Sequence, residues 1–144
     1  MKKVVKKVST KIAPKNSTTK ISLNNSTTMS RLAAAVKTAV ENKGNDIVVL
    51  DVRELTRAFD YFLIISGTSK RQLYAIGDEI QKKLVGEIGD ECLSVSGYKE
   101  GRWIVIDYGD IIVHLFEPET RNYYAIEELW GKAIKISIDD SIFK

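Results

Sequence analysis

The sequence predicts an α/β protein of the α+β kind, a mixed β-sheet with helices packed on it. Three observations predict this. Short apolar runs rich in β-branched residues lie within 46–52, 59–66, 102–107 and 110–116, each with the length of a buried strand. Between and around them, apolar residues recur at helical spacing. Glycine or a capping residue separates one kind of segment from the other. A chain of 144 residues has room for one domain with a real core.

The first helix is expected to open at Ser30 as N-cap, with Leu32, Val36, Ala39 and Val40 on one face and Gly44 as the stop. DIVVLDV and FDYFLIIS then read as two buried strands. Gly67-Thr68-Ser69 ends the second. Ser69 and Gln72 stand at capping-box spacing, and Leu73, Ile76, Ile80 and Leu84 form the stripe of an amphipathic helix that Gly86 or Gly89 closes. A weak strand follows at 92–96. WIVID and DIIVHLF are expected to form a hairpin through Tyr108-Gly109. The last helix opens at Pro118 with Glu119 in its first turn and runs to Trp130, before Gly131. Its Tyr123, Ile126 and Trp130 read as a core stripe, whereas Tyr124 points elsewhere, toward an interface.

The net charge of +3 hides an asymmetry. Residues 1–40 hold nine basic residues and no acid, so +9; the remainder holds 13 basic residues and 19 acids, so −6. Residues 1–28 are expected to be a basic disordered tail that touches RNA phosphates by charge alone, residues 29–131 the folded domain, and 132–144 a C-terminal extension. The acidic body suits a basic protein partner. No apolar run approaches the roughly 18 residues needed to span a bilayer, which predicts no membrane association. The tail lacks the apolar stretch of a secretory signal. It is acid-free and Ser/Thr-rich like an organellar address, but its charge is Lys where such addresses favour Arg.

One Cys (Cys92) and one His (His114) give no metal-ligand spacing, and no metal or cofactor is expected. If the hairpin turns on Tyr108-Gly109, Asp107 faces Asp110, Val105 faces Ile112, and Trp103 faces His114. These share a mixed face with Phe116, while Ile104, Ile106, Ile111, Val113 and Leu115 make a uniformly aliphatic core face. Gly67-Thr68-Ser69 lies where phosphate-binding loops sit, and it resembles the Gly-Ser turn of nucleotidyltransferases. The Asp-x-Asp pair that would complete such a site is missing after the helix, so the simplest reading is a helix cap.

The stretches DYFLIISGTSKRQLYAI and GRWIVIDYGDIIVHLFEPETRNYYAIEELWG resemble the Iojap family of ribosomal silencing factors (RsfS) over about residues 30 to 131. The family pattern falls on Trp103, Asp107, Gly109, Asp110 and His114, then on Arg121, Tyr124, Ile126 in place of Leu, Glu127, Leu129 and Trp130; Asp60, Tyr61, Phe62, Gly67, Thr68 and Ser69 match upstream. The resemblance implies a nucleotidyltransferase-like fold without catalytic acids and a protein that is not an enzyme. It implies binding to the large ribosomal subunit through its protein fourteen, a steric block to joining by the small subunit, a cytoplasmic location in bacteria, and homodimers in isolation. The expected partner-binding residues are Trp103, Asp107, Tyr108, Asp110, His114 and Tyr124. Asp60, Gly67, Thr68, Ser69, Gly109, Arg121, Glu127 and Trp130 are expected to shape the fold.

Overall fold

The structure, a computed structural model, describes residues 18–138. Helix α1 (Thr18–Glu41) leads into strands β1 (Asn45–Asp51) and β2 (Tyr61–Ser66). Helix α2 (Lys70–Gln81) continues as a π-helical segment, Lys82–Ile88, that stops at Gly89. Gly89 takes φ +85°, a left-handed C-cap that glycine reaches without a Cβ clash. Strands β3 (Ser94–Ser96), β4 (Trp103–Asp107) and β5 (Ile111–Phe116) follow. The chain ends in helices α3 (Pro118–Tyr124) and α4 (Ile126–Leu129) and strand β6 (Ile134–Ile136).

The strands form one mixed sheet in the order β3-β4-β5-β2-β1-β6, in which only β2 and β5 run parallel. Every residue of β2, β4 and β5 is buried, because both faces of the sheet are covered. That double cover explains why these strands read as nearly continuous apolar runs. On one face, Leu32, Val36, Ala39, Leu73, Ile76 and Ile80 of α1 and α2 pack on Ile104, Ile106, Ile111, Val113 and Leu115. On the other, Phe59, Ile126 and Trp130 pack on Phe62, Ile64, Trp103, Val105, Ile112 and Phe116.

Four expectations need correction. Helix α1 begins at Thr18, so Ser30 lies inside it and residues 18–28 are helical; residues 1–17 of the expected tail lie outside the described residues. Tertiary contacts override the local signal there, since the buried Thr28 and Arg31 both bond to the hairpin turn. Val40 does not belong to the core face of this helix and is exposed. The hairpin turns on Gly109-Asp110: Tyr108 N–H donates to Ile111 O, and Gly109 takes φ +91° at the first turn position. Trp103 therefore pairs with Phe116 and Val105 with His114, a shift of two residues. A shift of two preserves the faces that a shift of one would invert. Finally, the last helix breaks at Ala125, which adopts the left-handed conformation at φ +45°, ψ +48°. The expected stripe is broken with it: Ile126 is buried, whereas Tyr123 is 81% exposed.

The C-terminal extension is part of the sheet as far as it is described. Ile134–Ile136 pair antiparallel with β1, and residues 139–144 lie outside the described residues.

A candidate docking surface on the aromatic face

Trp103 stands at the start of β4 and His114 in the middle of β5. Although they are no longer directly opposite, they are diagonal neighbours, and long side chains reach across that distance. Trp103 Nε1–H donates to His114 Nδ1 at 3.0 Å. Accepting through Nδ1 places the imidazole proton on Nε2, which has no hydrogen-bond partner. Burial pushes the His114 pKa down to about 3, because no water remains to solvate an imidazolium. His114 is thus a neutral member of an aromatic stack. Phe62 meets it edge to face at 5.0 Å, and Trp103 lies against Phe116 at 4.8 Å.

The stack opens to solvent at one place. Tyr124 lies 4.8 Å from the Trp103 ring, Tyr123 packs edge-on against Tyr124 at 5.0 Å, and both tyrosines are exposed. Leu129 is 78% exposed on the next helix. Glu119 and Glu128 are exposed and Glu117 and Glu127 half-buried on the same two short helices. The result is an exposed pair of tyrosines on short helices that also carry the exposed Leu129, Glu119 and Glu128.

Arg121 holds this geometry. Its guanidinium is buried, with Nη1 donating to Ser66 Oγ and Nε to Glu127 Oε1, each at 2.7 Å. It therefore joins the end of β2 to both sides of the Ala125 break. The break turns Ile126 and Trp130 onto the sheet, where Trp130 meets Phe59 and Phe62, and leaves Tyr123 and Tyr124 outward.

Of the six residues expected to bind a partner, the structure brings Trp103, His114 and Tyr124 together, with only Tyr124 well exposed. Asp107 is buried, and its Oδ1 accepts the Gly109 N–H at 2.7 Å. Tyr108 belongs to the opposite, helix-covered core, and its hydroxyl donates to Gln81 Oε1. Burial pushes that phenol far up. Asp110 does not share the Trp-His face either. Its carboxylate accepts from Arg31 Nη1 at 2.9 Å and Thr28 Oγ1 at 2.6 Å, and Arg31 Nε also donates to Asp90. Turn placement decides this, since Asp110 occupies the turn itself and is directed to α1. Tyr123 and Leu129, which sequence reasoning assigned elsewhere or left out, are the exposed members. The signal for Tyr123 was a helical stripe that the break at Ala125 invalidates, and Leu129 entered only as a position of the family pattern.

The fold-shaping residues lie where their chemistry suggests. Ser69 Oγ accepts the Gln72 N–H at 3.1 Å, while Gln72 Oε1 accepts from both Thr68 N–H and Thr68 Oγ1. A Cβ on Gly67 would meet Leu73 Cδ2 at 2.6 Å, so the tight approach of strand end and helix requires glycine. Asp60 bridges β1 and the hairpin turn through its backbone, donating to Asp110 O at 2.8 Å and accepting from Val52 N–H. Among the described residues, no group of three or more His, Cys, Asp or Glu could hold a metal ion, and no helix is long and apolar enough to cross a membrane.

Four similarities to known proteins bear on the chain as a whole. A ribosomal silencing factor RsfS of Halalkalibacterium halodurans is 37% identical over 111 residues, covering 77% of this chain and 94% of that protein. The chloroplastic Iojap protein of Zea mays is 33% identical over 110 residues, covering 76% of this chain and 47% of its own length. A crystal structure of a Chromobacterium violaceum protein superposes with a TM-score of 0.68 at 37% identity, covering 70% of this chain and 83% of that one. The profile of the family described as RsfS, ribosomal silencing factor during starvation, matches residues 25–144, from the N-terminal helix through the C-terminal extension. The chain belongs to the RsfS family of ribosomal silencing factors.

Proposed function

We propose that this protein silences translation by docking on the large ribosomal subunit, on protein fourteen at the face that meets the small subunit, and that its bulk then prevents subunit joining. The observation that carries this reading is the exposed Tyr123-Tyr124 pair, on short helices that also present Leu129, Glu119 and Glu128 to solvent. Exposed aromatic residues are favoured anchors of protein interfaces. Ribosomal proteins are basic, and carboxylates around an apolar centre steer a basic surface and fix its register. No chemical step is needed for such a role, since occupancy alone excludes the small subunit. Trp103 and His114 contribute from beneath, by holding the Tyr124 ring in place.

We place its action in the bacterial cytoplasm, where subunits join; relatives include bacterial proteins and a maize protein named as chloroplastic. The test is co-sedimentation of the full chain with isolated large subunits, followed by addition of small subunits. The chain must be full length, because a start at Met29 would cut through α1 and remove the Thr28 bond to Asp110. Co-sedimentation with fewer joined ribosomes is the expected result. Tyr124→Ala should weaken subunit binding by about 2 kcal/mol, roughly thirtyfold. Undiminished joining in the presence of saturating protein would overturn the reading.

A further inference from the structure

The end of the sheet beside the aromatic patch carries a different surface. Lys70 and Arg71 open α2, and Lys99 and Arg102 lie on the connection from β3 to β4. All four are exposed, and none is in an ion pair with another of the described residues. By contrast, Lys82 and Lys83, farther along the same helical run, each face a glutamate.

The two segments are held against each other. A Cβ on Gly101 would meet Lys70 Cγ and Cε at 2.6 Å, so the Lys70 stem lies directly across the connection. Tyr74 Oη donates to the Tyr98 carbonyl at 2.6 Å, and the two rings stack at 4.4 Å. Tyr98 is 43% exposed and directly precedes Lys99, and Lys70 Nζ lies 6.0 Å from the centre of the adjoining Tyr74 ring. Three acids are close: Asp78, which accepts from the Tyr98 hydroxyl at 3.2 Å, the exposed Glu100, and the half-buried Glu117, whose N–H donates to the Arg102 carbonyl.

Lys70 and Arg71 also break a local rule. The first turn of a helix favours acids, because the macrodipole is positive there. The first turn of α2 has none and carries two cations instead. Residues that act against their local structure belong more often to function than to folding.

We propose that this basic, tyrosine-centred end is an RNA-binding surface that grips backbone phosphates through Lys70, Arg71, Lys99 and Arg102, with Tyr98 offering a face for a base. Cations interleaved with an exposed aromatic ring form the platform that unpaired or helix-end nucleotides use. Arg102 immediately precedes Trp103, and its carbonyl accepts the Glu117 N–H. The RNA surface therefore abuts the protein-docking patch, so one approach can engage both. The proposal rests on the docking reading only for the identity of the RNA, which would be ribosomal RNA next to the docked protein.

The test uses the full chain and a fluorescein-labelled RNA hairpin with a single-stranded end, followed by anisotropy from about 50 to 200 mM KCl. The patch variant is Lys70→Ala/Arg71→Ala/Lys99→Ala. The control removes three exposed cations elsewhere, Lys37→Ala/Arg57→Ala/Lys132→Ala. The slope of log affinity against log salt should flatten by about 2 to 3 in the patch variant, near 0.7 to 0.9 per lost contact, and by less than about 1 in the control. Tyr98→Leu should weaken binding about tenfold without changing the slope. Equal losses in patch and control variants would mean that overall charge binds the RNA, and would overturn the proposal. Unchanged RNA binding combined with weaker large-subunit binding would assign the patch to an acidic protein, and would overturn it too. Because the hairpin assay contains no ribosome, its result is independent of whether the docking reading stands.

Discussion

The two faces of one sheet are built for different work. The face under α1 and α2 is aliphatic and sealed: Ile104, Ile106, Ile111, Val113 and Leu115 meet leucines, isoleucines and valines from two long helices. The opposite face is aromatic and thinly covered by two short helices with a break between them. Long helices bury an aliphatic face through many weak contacts. A short broken cover leaves Tyr123, Tyr124 and Leu129 in solvent directly above the Trp103 stack. One sheet thus has a side that keeps the fold and a side that keeps the fold and also presents a surface.

The comparison predicts that the aromatic face contributes to stability as strongly as the aliphatic one. Trp103→Ala should lower stability by about 3–5 kcal/mol, the range for a buried aromatic truncation. The measurement is urea unfolding, and a midpoint close to wild type would mean that the face is only a surface. Loss of ribosome binding by that variant would therefore carry no information on docking. On the sealed side, Arg31 is the charged exception. Burial opposes its charge, but the hydrogen bonds and charges of Asp110 and Asp90 outweigh that and raise the Arg31 pKa. Arg31→Ala leaves two largely buried carboxylates without their cation and should cost about 3 kcal/mol. A double variant, Arg31→Ala with Asp110→Asn, should recover part of that loss.

His114 separates the faces by pH. In the unfolded chain its imidazole protonates near 6.5, and in the fold only near 3. Below pH 6.5 the unfolded state therefore binds the extra proton. This share of stability is complete above pH 6.5 and is lost as pH falls toward 3. Between pH 7 and 5 the loss should be about 2 kcal/mol. Asp51, whose pKa is lowered by hydrogen bonds from Arg53 that outweigh its burial, acts in the same direction at lower pH. His114→Gln should flatten the dependence between pH 7 and 5, at the cost of a weaker partner for Trp103 Nε1. A profile that keeps its slope in the variant would move the titration elsewhere.

How far the sequence revealed this architecture depends on the range of the interaction. Five of the six strands, the Ser69 cap and the aliphatic face were legible because each follows from residue type and period within one segment, whereas β6 was not. The faces survived a wrong turn, since moving it from Tyr108-Gly109 to Gly109-Asp110 shifts the register by two. What escaped depends on contacts between distant segments. Arg31 and Thr28 reach Asp110 across about eighty residues, and so extend α1 beyond its local cap and remove Asp110 from the proposed interface. The Ala125 break is similar: alanine carries no breaking signal, and the Arg121 bonds to Ser66 and Glu127 form only in the folded chain. Of the residues that the family resemblance assigned to partner binding, Trp103, Asp107, Tyr108 and His114 are buried and Tyr124 is exposed.

The smallest effect on stability is expected where the effect on binding matters most. Tyr123 is 81% exposed and touches little beyond Tyr124, so Tyr123→Ala should change stability by no more than about 0.5 kcal/mol. If the thin cover exists to present this ring, the same variant should weaken large-subunit binding by about 1–2 kcal/mol. Val40 is the matched probe, an apolar residue 53% exposed on α1, outside the aromatic face. Val40→Ala should alter neither stability nor binding beyond error. A Tyr123 variant with wild-type binding would leave Tyr124 and Leu129 as the only exposed apolar anchors identified on this face. Equal losses at Tyr123 and Val40 would remove the distinction between a presenting face and a sealed one.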